Sequence, residues 1–395
     1  MRVCLMLAVL LISSVSGFAA EPFFQSVAIF AEEPIHNHAS CVIETANGDL
    51  LATWYRGSGE RSSDDVVIYG AWLKKGQTLW GPRFILADTP GYPDCNPALF
   101  DAPDGTIWLF WPTIVDHHWE SAILKFAMAK DDGKHSGPLK WNREGMIHMT
   151  PVNFEKAVTE AVDALPRTSP MRVVASMEKH RERVKDLLYQ RLGWMPRVHP
   201  TVLPSGRWLL PLYTDTFSCS IVAISDDQGK TWATSGPMIG FGNIQPSLVR
   251  KSDGSIAAFM RDNGPNKKIR MSTSTDEGKT WGPVTDSAFP NPGAGIEAIR
   301  LANGHWALVY NDSVKGRHSL ALSISDDQAA TWKWTRHVER QGVGEGLFHY
   351  PSLLQSRDGR IHVTYTHRGA KTGSTIQHAV FNEEWVFQGD AATGR

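Results

Sequence analysis

Cysteine is scarce: the chain has four in 395 residues, and Cys4 falls within the first twenty. The remaining Cys41, Cys95 and Cys219 allow at most one intramolecular disulfide. Cys41 and Cys95 hold equivalent places near the starts of two consecutive repeats and are the better pair if one forms; unpaired buried thiols fit the sequence equally well. No Cys/His spacing fits a zinc frame, and nothing in the sequence calls for a metal or a cofactor. An excess of charge of one sign is also lacking. Forty Lys and Arg against 41 Asp and Glu give a formal net charge of -1 at pH 7, and the basic residues are scattered, which argues against a nucleic-acid binder. Beyond residue 20 no apolar run is long enough to span a bilayer, so no membrane insertion is expected. The run "VCLMLAVLLISSVSG", after Arg2 and before Phe18-Ala19-Ala20, reads as a cleavable signal peptide over residues 1–20. The expectation is a secreted or periplasmic protein. No sequence feature specifies an oligomer.

Tryptophan is abundant, with 15 copies, and three of them close a repeated frame. Ser225 to Trp232 reads "SDDQGKTW", Ser274 to Trp281 "STDEGKTW" and Ser325 to Trp332 "SDDQAATW". Weaker echoes end at Trp80 and Trp141. Such a frame reads as a tight turn: Ser and Asp side chains accept from backbone N–H groups, Gly supplies a permissive dihedral, and Trp packs back onto the sheet. A calcium loop would need a longer alternating carboxylate set ending in Glu. Between these turns lie six hairpin patterns, starting at His38, Asn96, His199, Gln245, Gly295 and Tyr350. Each is an alternating apolar run, a Gly-containing turn and a second run. With a third and fourth strand per unit, the pattern predicts an all-β fold, a six-bladed β-propeller of four-stranded antiparallel blades, as one domain over residues 21–395. The spacing from Asn96 to His199 is about double the rest. It contains "FEKAVTEAVDALP" and an amphipathic stretch with Val174, Met177, Val184, Leu187 and Leu188, started by Ser169-Pro170 and stopped by Gly193. This predicts a helical insertion over about 155–193, lying over the funnel mouth or a neighbouring blade.

The inner strands of a propeller begin near its axis, so the six hairpin starts form a funnel. Five of the six are polar or polar aromatic: His38, Asn96, His199, Gln245 and Tyr350. With nearby arginines they predict a site for a polar, anionic small group. Trp54, Tyr55, Trp111 and Trp119 are candidates for stacking on sugar faces. Asn311 begins an Asn-x-Ser glycosylation sequence.

The Ser-x-Asp-x-x-x-Thr-Trp turns match the Asp box, and the chain resembles the exo-sialidases and the wider group carrying sialidase-type Asp-box (BNR) repeats. The resemblance implies three arginines that bind a substrate carboxylate, a nucleophilic Tyr with a Glu partner, and an Asp acid/base. Tyr350 in "HYPSL" is similar to the nucleophile, and Arg261 and Arg317 to two of the arginines. Asp64 or Asp65 in "GERSSDD" falls where the acid/base belongs. His38 in "HASCV" stands where the first arginine of the family stands, and "GNIQPS" offers Gln245 and no carboxylate where the Glu is expected.

The residue chemistry allows more than one reaction. Arg261, Arg317 and Arg56 can bind a carboxylate, that of a uronate as well as that of a sialic acid, with Asn96, Gln245 and Tyr213 as further substrate contacts. Hydrolysis of a terminal acidic sugar needs an acid such as Asp64 or Asp65 and a base such as Glu297 or Glu345. Elimination from a uronate-containing glycan can instead use His38 or His199 with Tyr350 or Tyr213. A non-catalytic carbohydrate-binding propeller is the third reading. A glycan or oligosaccharide is the expected partner in all three.

Overall fold

A computed structural model describes residues 20–165, 171–370 and 373–391. The N-terminal apolar run and the expected helix start at Ser169-Pro170 lie outside them. The described strands form six four-stranded antiparallel sheets, as the repeated hairpins predict. Blade 1 runs His36–Glu44, Leu50–Gly57, Val67–Leu73 and Phe84–Ala87, and blade 2 runs Ala98–Asp101, Thr106–Ile114, Ala122–Lys130 and Arg143–Met146. Blade 3 has a short first strand, Thr201–Val202, followed by Trp208–Thr214, Cys219–Ser225 and Ala233–Thr234. Blades 4 and 5 begin at Asn243–Arg250 and Glu297–Arg300. Blade 6 uses Gly346–Gln355, Ile361–Gly369 and Ser374–Phe381, and takes its outer strand from Phe24–Ala28 at the other end of the chain. That pairing closes the ring.

The repeated turns are built as the sequence implies. Ser225 Oγ accepts from Gly229 N at 2.8 Å, and Asp227 accepts from Thr231 N at 2.9 Å and from Thr231 Oγ1 at 2.6 Å. The same bonds recur at Ser274 and Asp276 and at Ser325 and Asp327. Gly229 has φ +80°, and a Cβ there would come within 2.7 Å of the Trp108 ring of blade 2, so the turn needs Gly for both dihedral and space. Each Trp is a wedge between blades: Trp232 meets Phe110 of blade 2, and Trp332 meets Phe259 of blade 4.

The insertion forms helices Phe154–Asp163, Met171–Arg183 and Leu187–Arg191. Phe154, Val158, Val162 and Val184 are buried with Trp194 and Phe217 in the core shared by blades 2 and 3. Met177 packs on this core, but Leu187 and Leu188, which follow the break after Arg183, are exposed. No described helix is long and apolar enough to cross a membrane. Cys41, Cys95 and Cys219 are all free and buried, so the Cys41–Cys95 pair is not formed. Asn311 is also buried, its Nδ2 donating to Ser319 O and Phe348 O, which removes it as a glycan acceptor.

Candidate active site

An antiparallel hairpin sets the start of each inner strand beside the end of the second strand, so both ends contribute to one rim. There the axis opens into a cavity of about 570 Å³. His38, Asn96, Gln245 and Tyr350 line it from the first set, and Tyr55, Tyr213 and Arg261 from the second. Asn96, Gln245 and Tyr350 each precede a proline and have positive φ, at 40°, 55° and 47°. Register slips beside Gln245 and Tyr350 mark β-bulges. A bulge re-aims its side chain, and here it turns Gln245 and Tyr350 toward the axis.

Tyr350 is the centre of this arrangement. Its oxygen accepts from Arg261 Nη1 at 2.8 Å and from Gln245 Nε2 at 3.3 Å. Arg197, Arg261 and Arg317 stand 4.8, 5.8 and 5.6 Å from its ring centroid, and His38 packs edge-on at 4.4 Å. Gly295 contributes space instead of a side chain, since a Cβ there would meet the Tyr350 ring at 2.7 Å. Arg317 is fixed by bonds of 2.6 Å from Nη1 to His349 Nδ1 and from Nη2 to Gly293 O. The first requires a neutral imidazole. Burial, then the Arg317 charge, holds the His349 pKa well below its ordinary value. His38 is held down likewise by burial and then by His349. At Arg261 burial opposes the charge, but Tyr350 and Asp215 outweigh it and raise the pKa.

Three carboxyl groups line the cavity, Glu60, Asp215 and, at the rim, Glu120, and none of them was singled out from the sequence. Glu60, in the loop after Leu50–Gly57, accepts from Tyr55 Oη at 2.6 Å and lies 3.6 Å from His36 Nε2. Burial works against its ionisation, but His36 and Tyr55 outweigh burial and lower its pKa. Asp215 follows Trp208–Thr214 and is half-buried; burial, then nearby Glu120 and Glu60, raises its pKa against the pull of Arg261 and Arg61. Trp119 and Arg61 stack at the rim at 5.1 Å. The insertion reaches this rim through Arg183, 3.7 Å from Glu120.

Beneath Tyr350 the buried Arg197 closes the floor, donating to Ser40 O at 3.2 Å and Pro351 O at 3.1 Å. His199 and Glu297 lie beyond it, away from the cavity. His199 lacks the bulge conformation of the other residues before proline, and its ring points down the inner strands. Its Nδ1 meets Glu297 Oε1 at 2.7 Å, and its Nε2 meets Val42 O at 2.8 Å and Cys41 Sγ at 3.2 Å. Burial resists charge on this imidazole, but Cys41 and Glu297 hold its pKa well above the ordinary value. Four other expected residues also face elsewhere. Strand alternation puts Arg56 on the face opposite Tyr55, where Glu33 takes its Nε at 2.7 Å. Asp64 meets His117 Nε2 at 2.6 Å, and Asp65 caps Ser58 N at 2.9 Å; both are exposed loop contacts. Glu345 lies in an exposed turn. Trp54 and Trp111 are buried in blade cores, whereas Tyr55 and Trp119 line the cavity.

Glu60 stands four residues before Asp64 in the same "GERSSDD" segment, so the segment was legible and the choice of carboxylate was not. The signal for Asp215 was its place two residues after Tyr213, at a second-strand end.

The model of the BNR repeat-like domain matches residues 48–159 and 190–363. A sialidase of Micromonospora viridifaciens is 28% identical over 177 residues, 42% of this chain and 26% of that protein. An anhydrosialidase of Macrobdella decora is 24% identical over 181 residues, 41% of this chain and 23% of its own. These matches span about a quarter of the relatives' length. Among solved structures, a Dyadobacter fermentans protein of unknown function has TM-score 0.67 at 18% identity, covering 91% of this chain and 99% of that one. The intramolecular trans-sialidase of Ruminococcus gnavus has TM-score 0.66 at 13% identity, covering 90% and 96%; at such identities the likeness is one of fold. With the family model matched over most of its length, this chain belongs to the sialidase-like family of BNR repeat-like propellers.

Proposed function

We propose that the protein is an exported, exo-acting glycoside hydrolase that removes a terminal acidic sugar from a glycan. The observation that carries this reading is the Tyr350 hydroxyl, held by Arg261 at 2.8 Å with Arg317 beside the same ring in a polar, floored cavity. Arg261 and Arg317 take the sugar carboxylate, since a guanidinium fork suits a planar anion. The Tyr350 oxygen meets the anomeric carbon, and the donors around it stabilise charge developing there. A pocket carboxyl group, Glu60 or Asp215, supplies the proton for the departing oxygen. The sialidase and anhydrosialidase among the relatives support this reaction class.

The second reading is elimination from a uronate-containing glycan, favoured by the neutral His38 packed edge-on to Tyr350. One panel separates the two: sialosides, rhamnosides and uronate glycans, read by released reducing sugar and by absorbance of an unsaturated product. Reducing sugar without that absorbance supports the hydrolase, and the absorbance supports the lyase. Absence of both products leaves a carbohydrate-binding propeller. Export is checked by N-terminal sequencing of the mature protein, which should begin near Glu21.

A further inference from the structure

The six inner strands end in matching places on the face opposite the active cavity, and the charges there are sorted. Glu44, Asp101, Val202, Arg250, Arg300 and Gln355 are the last residues of these strands, each paired across its hairpin with the residue six positions on. On blades 1 and 2 the acids share one cation, Arg357, 3.7 Å from Glu44 and 3.7 Å from Asp101. On blades 4 and 5 the two arginines have no such partner, and neither forms an ion pair among the described residues. Each lies over the glycine of its own turn, with Nη2 3.5 Å and 3.7 Å from where a Cβ of Gly254 or Gly304 would stand. A second cavity, of about 340 Å³, opens beside them. The strand from Gln245 to Arg250 rises roughly 3.3 Å per residue, which sets this cavity about 16 Å from the first along the axis.

Val202, Leu248 and Ile299 give this cavity an aliphatic wall, and His199 and Glu297 line its buried end. Glu297 has no charge to spare for the arginines: its Oε1 meets His199 Nδ1 at 2.7 Å, and its Oε2 accepts from Leu353 N at 2.7 Å. His199 Nε2 faces the carbonyl of Val42 at 2.8 Å and so carries a proton. With a second proton between Nδ1 and Oε1, the pair as a whole is neutral. Two guanidinium charges therefore stand uncompensated at the mouth of a small, partly apolar cavity. We infer that this far end of the axis is a binding site for a small organic phosphomonoester, its phosphate held by Arg250 and Arg300 and its carbon frame packed on Val202, Leu248 and Ile299. A phosphomonoester carries nearly two negative charges at pH 7, which matches the two arginines where a single carboxylate leaves one unmatched. Guanidinium groups bind such oxygens through charge-assisted hydrogen bonds, and the aliphatic wall favours an organic ester over the bare ion. The site is separate from the active cavity, and the inference holds whatever reaction Tyr350 carries out.

The test is calorimetric titration of the full chain at low salt with phenyl phosphate, inorganic phosphate and benzoate. Phenyl phosphate should bind at one site, about tenfold or more tighter than either of the others. Arg250→Gln and Arg300→Gln should each weaken it by about tenfold or more, the loss of one contact to a charged group. Arg317→Gln, at the other end of the axis, should leave it unchanged. Benzoate or inorganic phosphate binding as tightly as phenyl phosphate overturns the ligand class. A loss in Arg317→Gln with none in Arg250→Gln or Arg300→Gln places the ligand in the active cavity and overturns the site, as does the absence of binding by all three probes. Melting curves supply a second measurement. Since neither arginine forms an ion pair, both variants should melt with the wild type, and saturating phenyl phosphate should raise the Tm of the wild type but not theirs. A variant that melts well below the wild type without ligand shows that its arginine holds the fold, which overturns its role as a ligand group.

Discussion

Tyr350 shows how one residue can carry both packing and chemistry. Its ring fills the space that Gly295 leaves open and stacks among three guanidinium groups, while its oxygen takes donors from Arg261 and Gln245. Tyr350→Phe keeps the ring and loses only the oxygen. It should therefore lower kcat at least about 100-fold while the Kd for an unreactive acidic-sugar analogue changes little, the pattern of a group that acts in the transition state. Comparable losses in binding and turnover would make Tyr350 a wall of the pocket. Glu297 is the opposite case, a carboxylate expected to react that serves the axis instead. It is 2% exposed and accepts from Leu353 N at 2.7 Å as well as from His199. Glu297→Gln leaves the charge of His199 buried without its partner, which costs about 3–5 kcal/mol. Urea unfolding should show that loss, with affinity for the acidic-sugar analogue preserved.

The Asp-box turn is the element that the sequence states most completely, and its third copy departs in an instructive way. Ala329 stands where the other two have Gly, at φ +68°. A left-handed non-Gly residue costs about 1–2 kcal/mol, and Gly returns roughly 0.4–1 kcal/mol of that through the greater freedom of the unfolded chain. Ala329→Gly should therefore stabilise by about 0.5 kcal/mol in urea, and a destabilisation would mean that the Ala329 methyl packs more than it strains. The same turns predict acid sensitivity. Thr231 and Thr331, as first causes, hold the pKa of Asp227 and Asp327 at about 2. Their stabilisation is complete above the ordinary aspartate value and is lost as pH falls through about 2, since the unfolded chain binds protons first. Stability in urea should fall from pH 4 downward, and less so in a protein lacking Asp227 and Asp327. These turns, the hairpins and the residues before proline were legible because each is a local signal. Placing Arg56 outside the site needed the strand's phase, placing His199 needed a bulge that blade 3 lacks, and choosing Glu60 over Asp64 or Asp65 needed the path of a loop. None of these is written in spacing.

At the scale of the whole molecule, the ring closes by pairing its two distant ends, which the count of hairpins alone did not disclose. Phe24–Ala28 is the outermost strand of blade 6, in register from Phe24 with Phe381 to Ala28 with Gln377. The junction is reinforced on both sides. Phe24 stacks on Trp385 at 4.5 Å, Phe23 N donates to Asn382 Oδ1 at 2.8 Å, and Glu33 binds Arg56 and Arg83 of blade 1. The Arg56 and Arg83 bonds overcome burial and lower the Glu33 pKa to about 2, so this contact persists to mildly acidic pH. Removing residues 21–32 strips the outer strand and exposes the edge of Ser374–Phe381, with its unpaired N–H and C=O groups open to another chain. It leaves Arg56 and the cavity-lining residues in place. The shortened protein should melt at lower temperature and associate with rising concentration in size-exclusion chromatography. At low concentration it should still bind an acidic-sugar analogue. A monomer with an unchanged melting temperature would show that blade 6 holds the ring closed with three strands, and that the contribution of the N-terminal strand is peripheral.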